Sequence, residues 1–321
     1  MVAQIRLLII SFLAAILLQP SPVLLPPTPP QSPIELVSGS VNNRAGDGWS
    51  FRPVISADGR YIAFASSADD LVTQDKNHTW DIFRRDLQTG DTILVSITSD
   101  GTQGNGPSGF WSTPAISADG RWVAFASLAD NLAPEDHNQA ADVFLHDCET
   151  GKTSLISHDT GGLPANGWSD WPAVSQDGRY ISFTSLASNL VSGDQNNARD
   201  IFRFDRDTGR IEIISISSSG EQGNRTSGWA SAISSNGVII AFASSASNLV
   251  DQDNNHSWDV FVRDIPHHTT ERVSLRITGD EGNADSGFWS PIGLSADGNL
   301  VVFQTDASNL IYNDTNHLPD I

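Results

Sequence analysis

The chain repeats one pattern five times. The strings SADGRYIAFASSADDLV, SADGRWVAFASLADNLA, SQDGRYISFTSLASNLV, SSNGVIIAFASSASNLV and SADGNLVVFQTDASNLI begin at Ser56, Ser117, Ser175, Ser234 and Ser295, spaced 61, 58, 59 and 61 residues. A second landmark, the acid of a D-x-N triplet, falls at Asp75, Asp136, Asp194, Asp253 and Asp314 with the same four spacings. Length therefore varies only after Asp81 and its equivalents. An internal period of this size marks a propeller or solenoid, in which each unit leaves an apolar face for its neighbour to cover.

Within a unit the pattern predicts four short strands: a (114–117), b (121–127), c (142–147) and d (153–157). Strand b puts Ile62 and Phe64 on one face and Ala63 and Ala65 on the other, repeated as Ile181/Phe183 against Ser182/Thr184 and Ile240/Phe242 against Ala241/Ala243. That is a period of two, with a large face ready to meet a small one as stacked blades require. The a–b turns (S-A-D-G) and c–d turns (Q-T-G-D, E-T-G-K) are tight, glycine supplying the positive φ. The b–c and d–a connections run to ~15 residues, long enough to carry function. An antiparallel meander brings both long connections out on one face and both tight turns on the other.

The strings S-A-D-G-R-Y-I-A-F and D-I-F-R-R-D-L-Q-T-G resemble the TolB-like propeller repeat, a relative of WD-type blades, over about residues 34–321. The resemblance implies an all-β propeller of four-stranded antiparallel blades. It implies little about function, because such folds host many unrelated roles. The segment IELVS at 34–38 matches strand d, and Asp320-Ile321 matches the first two residues of strand c. The expected ring has five blades, the last closed by the amino-terminal strand and short of about ten residues, a thin or truncated closure.

Ahead of the repeats, Arg6 is followed by LLIISFLAAILL, an apolar run of signal-peptide length and short of the ~20 residues that cross a bilayer. Residues 1–18 are expected to be a signal peptide or an amino-terminal anchor, the one expected membrane contact. Residues 19–33, rich in proline, form a polyproline-type tether, and the propeller occupies 34–321. The protein is thus expected to be exported, to a periplasm, a cell envelope or the medium. Asp plus Glu number 38 against 18 Lys plus Arg, a net charge of −20, which repels phosphate backbones and excludes nucleic acid as partner. A single cysteine, Cys148, leaves no disulfide framework and no thiolate metal site.

Each b–c loop ends in D-x-N-x-x-x-D: Asp75/Asn77/Asp81, Asp136/Asn138/Asp142, Asp194/Asn196/Asp200, Asp253/Asn255/Asp259 and Asp314/Asn316/Asp320. Alternating carboxylate and amide oxygens suit calcium, which takes six to eight oxygens at ~2.3–2.6 Å. The fourth copy adds Asp251 and resembles the calcium loops of integrin-type propellers. A divalent ion would also relieve repulsion among acids crowded on one rim. The same residue types equally make side-chain-to-backbone turns with no ion. Trp49, Trp111, Trp168, Trp229 and Trp289, in the d–a loops, are candidates to stack on a ligand or to plug the space between blades.

Polar residues recur in every unit, and no G-x-S-x-G, H-E-x-x-H or phosphate-cradling loop is present. The expectation is a non-enzymatic binding propeller, secreted or envelope-associated, whose repeated loops engage a protein or glycan, with calcium ordering them. A structural scaffold or blade array within a larger envelope protein is the alternative. A glycosidase using two rim acids is disfavoured.

Overall fold

The computed structural model describes residues 34–321 except Asn43, Trp289, Asn313 and His317, and leaves the side chain of Ala230 undescribed. The expectations for 1–18, 19–33 and Trp289 lie outside the described residues. Blade 1 is β1 (Ser50–Ile55), β2 (Tyr61–Ser66), β3 (Asp81–Asp86) and β4 (Thr92–Leu94). Blade 2 is β5 (Ala115–Ile116), β6 (Trp122–Ser127), β7 (Asp142–Asp147) and β8 (Lys152–Leu155). Blade 3 is β9 (Ser169–Val174), β10 (Tyr180–Ser185), β11 (Asp200–Asp205) and β12 (Arg210–Ile213). Blade 4 is β13 (Ser227–Ile233), β14 (Ile239–Ser244), β15 (Asp259–Asp264) and β16 (Thr269–Arg272). A fifth sheet pairs β17 (Gly293–Leu294) with β18 (Val301–Val302), and an isolated bridge joins Thr305 to Asp320. Each four-stranded sheet is an antiparallel meander in chain order.

The alternation of strand b fixes the stacking. Phe64–Phe83, Phe125–Phe144, Phe183–Phe202 and Phe242–Phe261 face each other across the b–c ladders, with centroids 5.8, 5.8, 5.8 and 5.9 Å apart. The small face then receives the next blade: Ala63 and Ala65 cluster with Val123 and Phe125, and Ala124 with Ile181 and Phe183. Each of these buried phenylalanines is worth roughly 1.5–3 kcal/mol. The last residues of strand d cross to the neighbour as well, Val95 packing with Ala129 and Leu132 and Ile156 with Ala187 and Leu190. Val37 takes the same place against Ala68 and Leu71 of blade 1, and Gly46 N–H donates to Ser38 O (3.1 Å) as Gly104 N–H does to Ser96 O (3.0 Å). The segment ending at Ser38 therefore occupies the strand-d position that its sequence matches, although it joins no ladder.

On the plain face, S-x-D-G is a turn lock. Ser56 Oγ donates to Asp58 and accepts the Tyr61 N–H (2.9 Å), while Arg60 reaches the end of strand c to bond Asp86. Gly178 shows why glycine is required there. Its φ is +68°, and a Cβ would lie 2.2 Å from Trp122 Cδ1 of the preceding blade. Gly209, at φ +69°, faces open space. Gly178→Ala is expected to lose ~1–3 kcal/mol through overpacking plus strain, and Gly209→Ala only the strain. Thermal melts of the two variants check this, and equal losses would refute the contact argument.

Candidate functional site at the loop rim

The b–c and d–a loops meet on one rim and bond each other. Asn77 Nδ2 donates to Gly104 O (2.9 Å) and Gln103 Nε2 to Asp75 Oδ1 (2.7 Å), joining the two loops that flank strands c and d of blade 1. The same d–a loop then reaches blade 2, Asn105 N–H donating to Asn131 Oδ1 (2.9 Å) and Asn131 Nδ2 to Gln103 O (2.9 Å). Candidate metal and ligand residues thus share one face.

The triplets are built as hydrogen-bonded locks. Asn77, Asn138, Asn196 and Asn255 each accept a backbone N–H two residues on, at 3.0, 2.7, 2.8 and 2.9 Å. Their Nδ2 groups donate to Gly104 O, Ala165 O, Gly223 O and Gly282 O. A carbonyl only accepts and an N–H only donates, so each amide is fixed with its oxygen in the turn. The nitrogens also face the buried acid, at 2.5 Å from Asp142, 2.8 Å from Asp200 and 3.0 Å from Asp259. Ser96, Ser157, Ser215 and Ser274 hydroxyls donate to Asp81, Asp142, Asp200 and Asp259. Burial raises Asp81 and Asp142 to about 7 and Asp200 to about 6, against the donors that surround them.

The fourth loop, the one with the most oxygens, holds a cation of its own. Arg272 Nη1 lies 3.2 Å from Asp253, 3.3 Å from Asp259 and 2.9 Å from Glu281, while Asp251 is exposed. In the fifth copy Asn316 Oδ1 accepts the Leu318 N–H (2.8 Å). Asp75 Oδ2 and Asp314 Oδ1 are buried without a partner. N–H and O–H donors and, in blade 4, a guanidinium are the groups that meet Asp142, Asp200 and Asp259 among the described residues. Burial pushes the Cys148 thiol up to about 12, and His267 and His268 are exposed turn residues.

The aromatic residues do come together, joined by residues that the repeat pattern conceals. Trp80 packs on Phe51 (4.4 Å) and Phe110 (5.5 Å), Phe110 on Trp111 (4.8 Å), and Trp111 on Trp168 (5.5 Å). Trp168 Nε1 donates to Asp170 Oδ2 (2.8 Å), and Asp170 Oδ1 accepts from Thr184 (2.6 Å) and from Arg199, a buried pair. Arg199 lies 5.1 Å from the ring of Trp229. Trp49, Trp111 and Trp229 are 79%, 41% and 50% exposed, whereas Trp168 is half-buried. Trp49 stands apart from this cluster in the contacts above. Asp170 and Arg199 have no counterpart in the other blades, so the polar residues of the rim are not uniformly repeated.

No family model and no curated protein matches the chain. Solved structures do. "Oligogalacturonate lyase in complex with manganese" is 12% identical, over 86% of this chain and 65% of that one, with a TM-score of 0.50. The putative TolB from Agrobacterium tumefaciens is 17% identical over 83% and 73%, with a TM-score of 0.47. TolB from Acinetobacter baumannii is 17% identical over 82% and 53%, with a TM-score of 0.42, so the chain spans about half of that protein. The first of these corrects one expectation: a lyase carries this fold, so propeller architecture gives no ground for excluding an enzyme. The fold leaves both role and chemistry open. With its meander blades, tight S-x-D-G turns and radially stacked large and small faces, the chain has a β-propeller fold.

Proposed function

We propose that the protein is an exported binding propeller that takes a glycan on its loop rim. The observation that carries the reading is the pair of exposed indoles, Trp111 and Trp229, whose neighbours Trp168, Asp170 and Arg199 are locked together by hydrogen bonds and ring contacts. Flat apolar faces beside fixed polar groups suit a sugar ring, which offers C–H on its faces and hydroxyls at its edge. Rigid aromatics also bind at low entropic cost. Export rests on the apolar run after Arg6. The loops are ordered by their own hydrogen bonds, with no ion invoked.

A glycan array followed by calorimetry tests this. Trp111→Ala and Trp229→Ala are each expected to weaken binding of the selected oligosaccharide about 10-fold, or ~1.4 kcal/mol, with the fold intact by circular dichroism. Full affinity in both variants would remove the rim from the account. A stable protein partner recovered without any sugar binding would favour the scaffold role instead.

A further inference from the structure

We propose that Arg52 is a receptor for a carboxylate, so that the glycan taken at the rim is an acidic one carrying a uronic-acid-type group. This rests on the glycan reading above and deepens it. Arg52 lies in the bulge of β1, where the register with β2 shifts between Phe51 and Val54. Its φ is +57°, and Trp171, at the same distance before its own S-x-D-G turn, has φ +51°. Two non-glycine residues held in the left-handed region at one repeat position are a costly arrangement that surrounding structure must impose, and such residues gather at binding sites. Here the result is contact between blades 1 and 3. The Arg52 guanidinium lies 5.4 Å from the Trp171 ring and 5.4 Å from that of Phe51.

The guanidinium is held but not neutralised. Its Nε donates to Phe110 O (3.4 Å), and among the described residues no carboxylate pairs with it. Arg60, Arg121, Arg179, Arg199, Arg203 and Arg272 all bond an acid. Arg84 and Arg263 bond no acid either, but their terminal nitrogens are taken by Gly120 O and by Ser217 O, His268 O and Thr270, whereas at Arg52 only Nε meets an acceptor among the described residues. Burial lowers its pKa, and no neighbouring acid offsets the effect. With Nε engaged, the two terminal nitrogens remain to grip a carboxylate side by side. The guanidinium lies near the Phe51 and Trp171 rings, and its Nε contact is to the main chain of Phe110, a member of the aromatic run. The charge of −20 does not forbid this, because fields of distant acids are screened within ~8 Å at physiological salt, whereas a paired contact is not.

The test compares a uronic-acid oligosaccharide with its carboxyl-reduced neutral counterpart by calorimetry. The parent protein is expected to prefer the acid at least 10-fold, Arg52→Gln to lose that preference, and Arg52→Lys to retain part of it, all three melting alike. Equal affinity of the parent protein for the two sugars, or a preference that survives Arg52→Gln, overturns the proposal and leaves glycan binding standing. If neither sugar binds, both fall. An Arg52-dependent site for an aspartate-rich peptide in place of the sugar would also overturn it.

Discussion

Arg272→Leu is expected to destabilise the protein by ~3–5 kcal/mol, and Glu281→Gln added to it to recover most of the loss. The magnitude is that of breaking a buried ion pair by removing one partner. Arg272 is 5% exposed in its side chain, Asp253 4% and Asp259 0%, and the three meet with Glu281. Removing the guanidinium leaves three carboxylates together with nothing between them. Blades 1 and 3 show the alternative. There strand d carries Leu94 and Ile213 at this position, and Gln103 and Gln222 stand in place of Glu281. Gln103 Nε2 donates to Asp75 (2.7 Å) and Asp81 (3.0 Å), and Gln222 Nε2 to Asp194 (2.7 Å) and Asp200 (2.9 Å). A neutral donor thus does in those blades what the arginine does in blade 4, and the double variant rebuilds it. In a thermal melt the single variant should fall by about 10 °C. A loss below 1 kcal/mol, or no recovery in the double variant, would show that the arginine does not replace the glutamine.

The architecture was legible because its determinants are local and repeated: alternation of period two, turn glycines, and loops whose length varies at one point only. The convergence of both loop sets on one rim followed from the meander alone. The chemistry of the triplets was not legible in the same way. Whether Asn77 offers oxygen or nitrogen inward is decided by Gly104 O, a backbone atom from another loop. A sequence gives Asp and Asn the same look in a turn and in an ion cage. One signal was available within the repeats: Arg272 for an aliphatic residue accompanies Glu281 for a glutamine, a paired change that implies contact. Asp170 and Arg199, and the reach of Arg52 to Trp171, join different strands or different blades, which a comparison of units in register cannot reveal.

Melting temperature should rise as pH is lowered from 8 toward 6, the reverse of what a calcium-held rim would do. Asp81 and Asp142 at about 7 and Asp200 at about 6 lie well above the ~3.9 of an unfolded aspartate. The folded state therefore binds these protons more tightly, and the stability they confer is fully present below the unfolded pKa and lost as pH rises through the folded one. Each such group changes stability by ~1.4 kcal/mol per pH unit between its two pKa values. His146 opposes them: burial brings it to about 4, so below pH ~6.5 its protonation favours the unfolded chain. Asp86, held down by Arg60, Asp147, where Arg121 and its other donors outweigh burial, and Asp205, held down by Arg179, contribute stability above pH ~4 that is lost as pH falls further. The expected profile climbs from pH 8 toward about 4, because below pH ~6 the three aspartates together outweigh the single His146, and it falls below 4. A bound divalent cation would instead keep the rim aspartates ionised, so acid would weaken the fold across the same window and chelator would lower the melt at pH 8 by several degrees. Melts at pH 8 and 6, each with and without chelator, separate the two arrangements. A chelator-sensitive melt that falls on acidification would restore the ion and overturn the hydrogen-bonded account of the triplets.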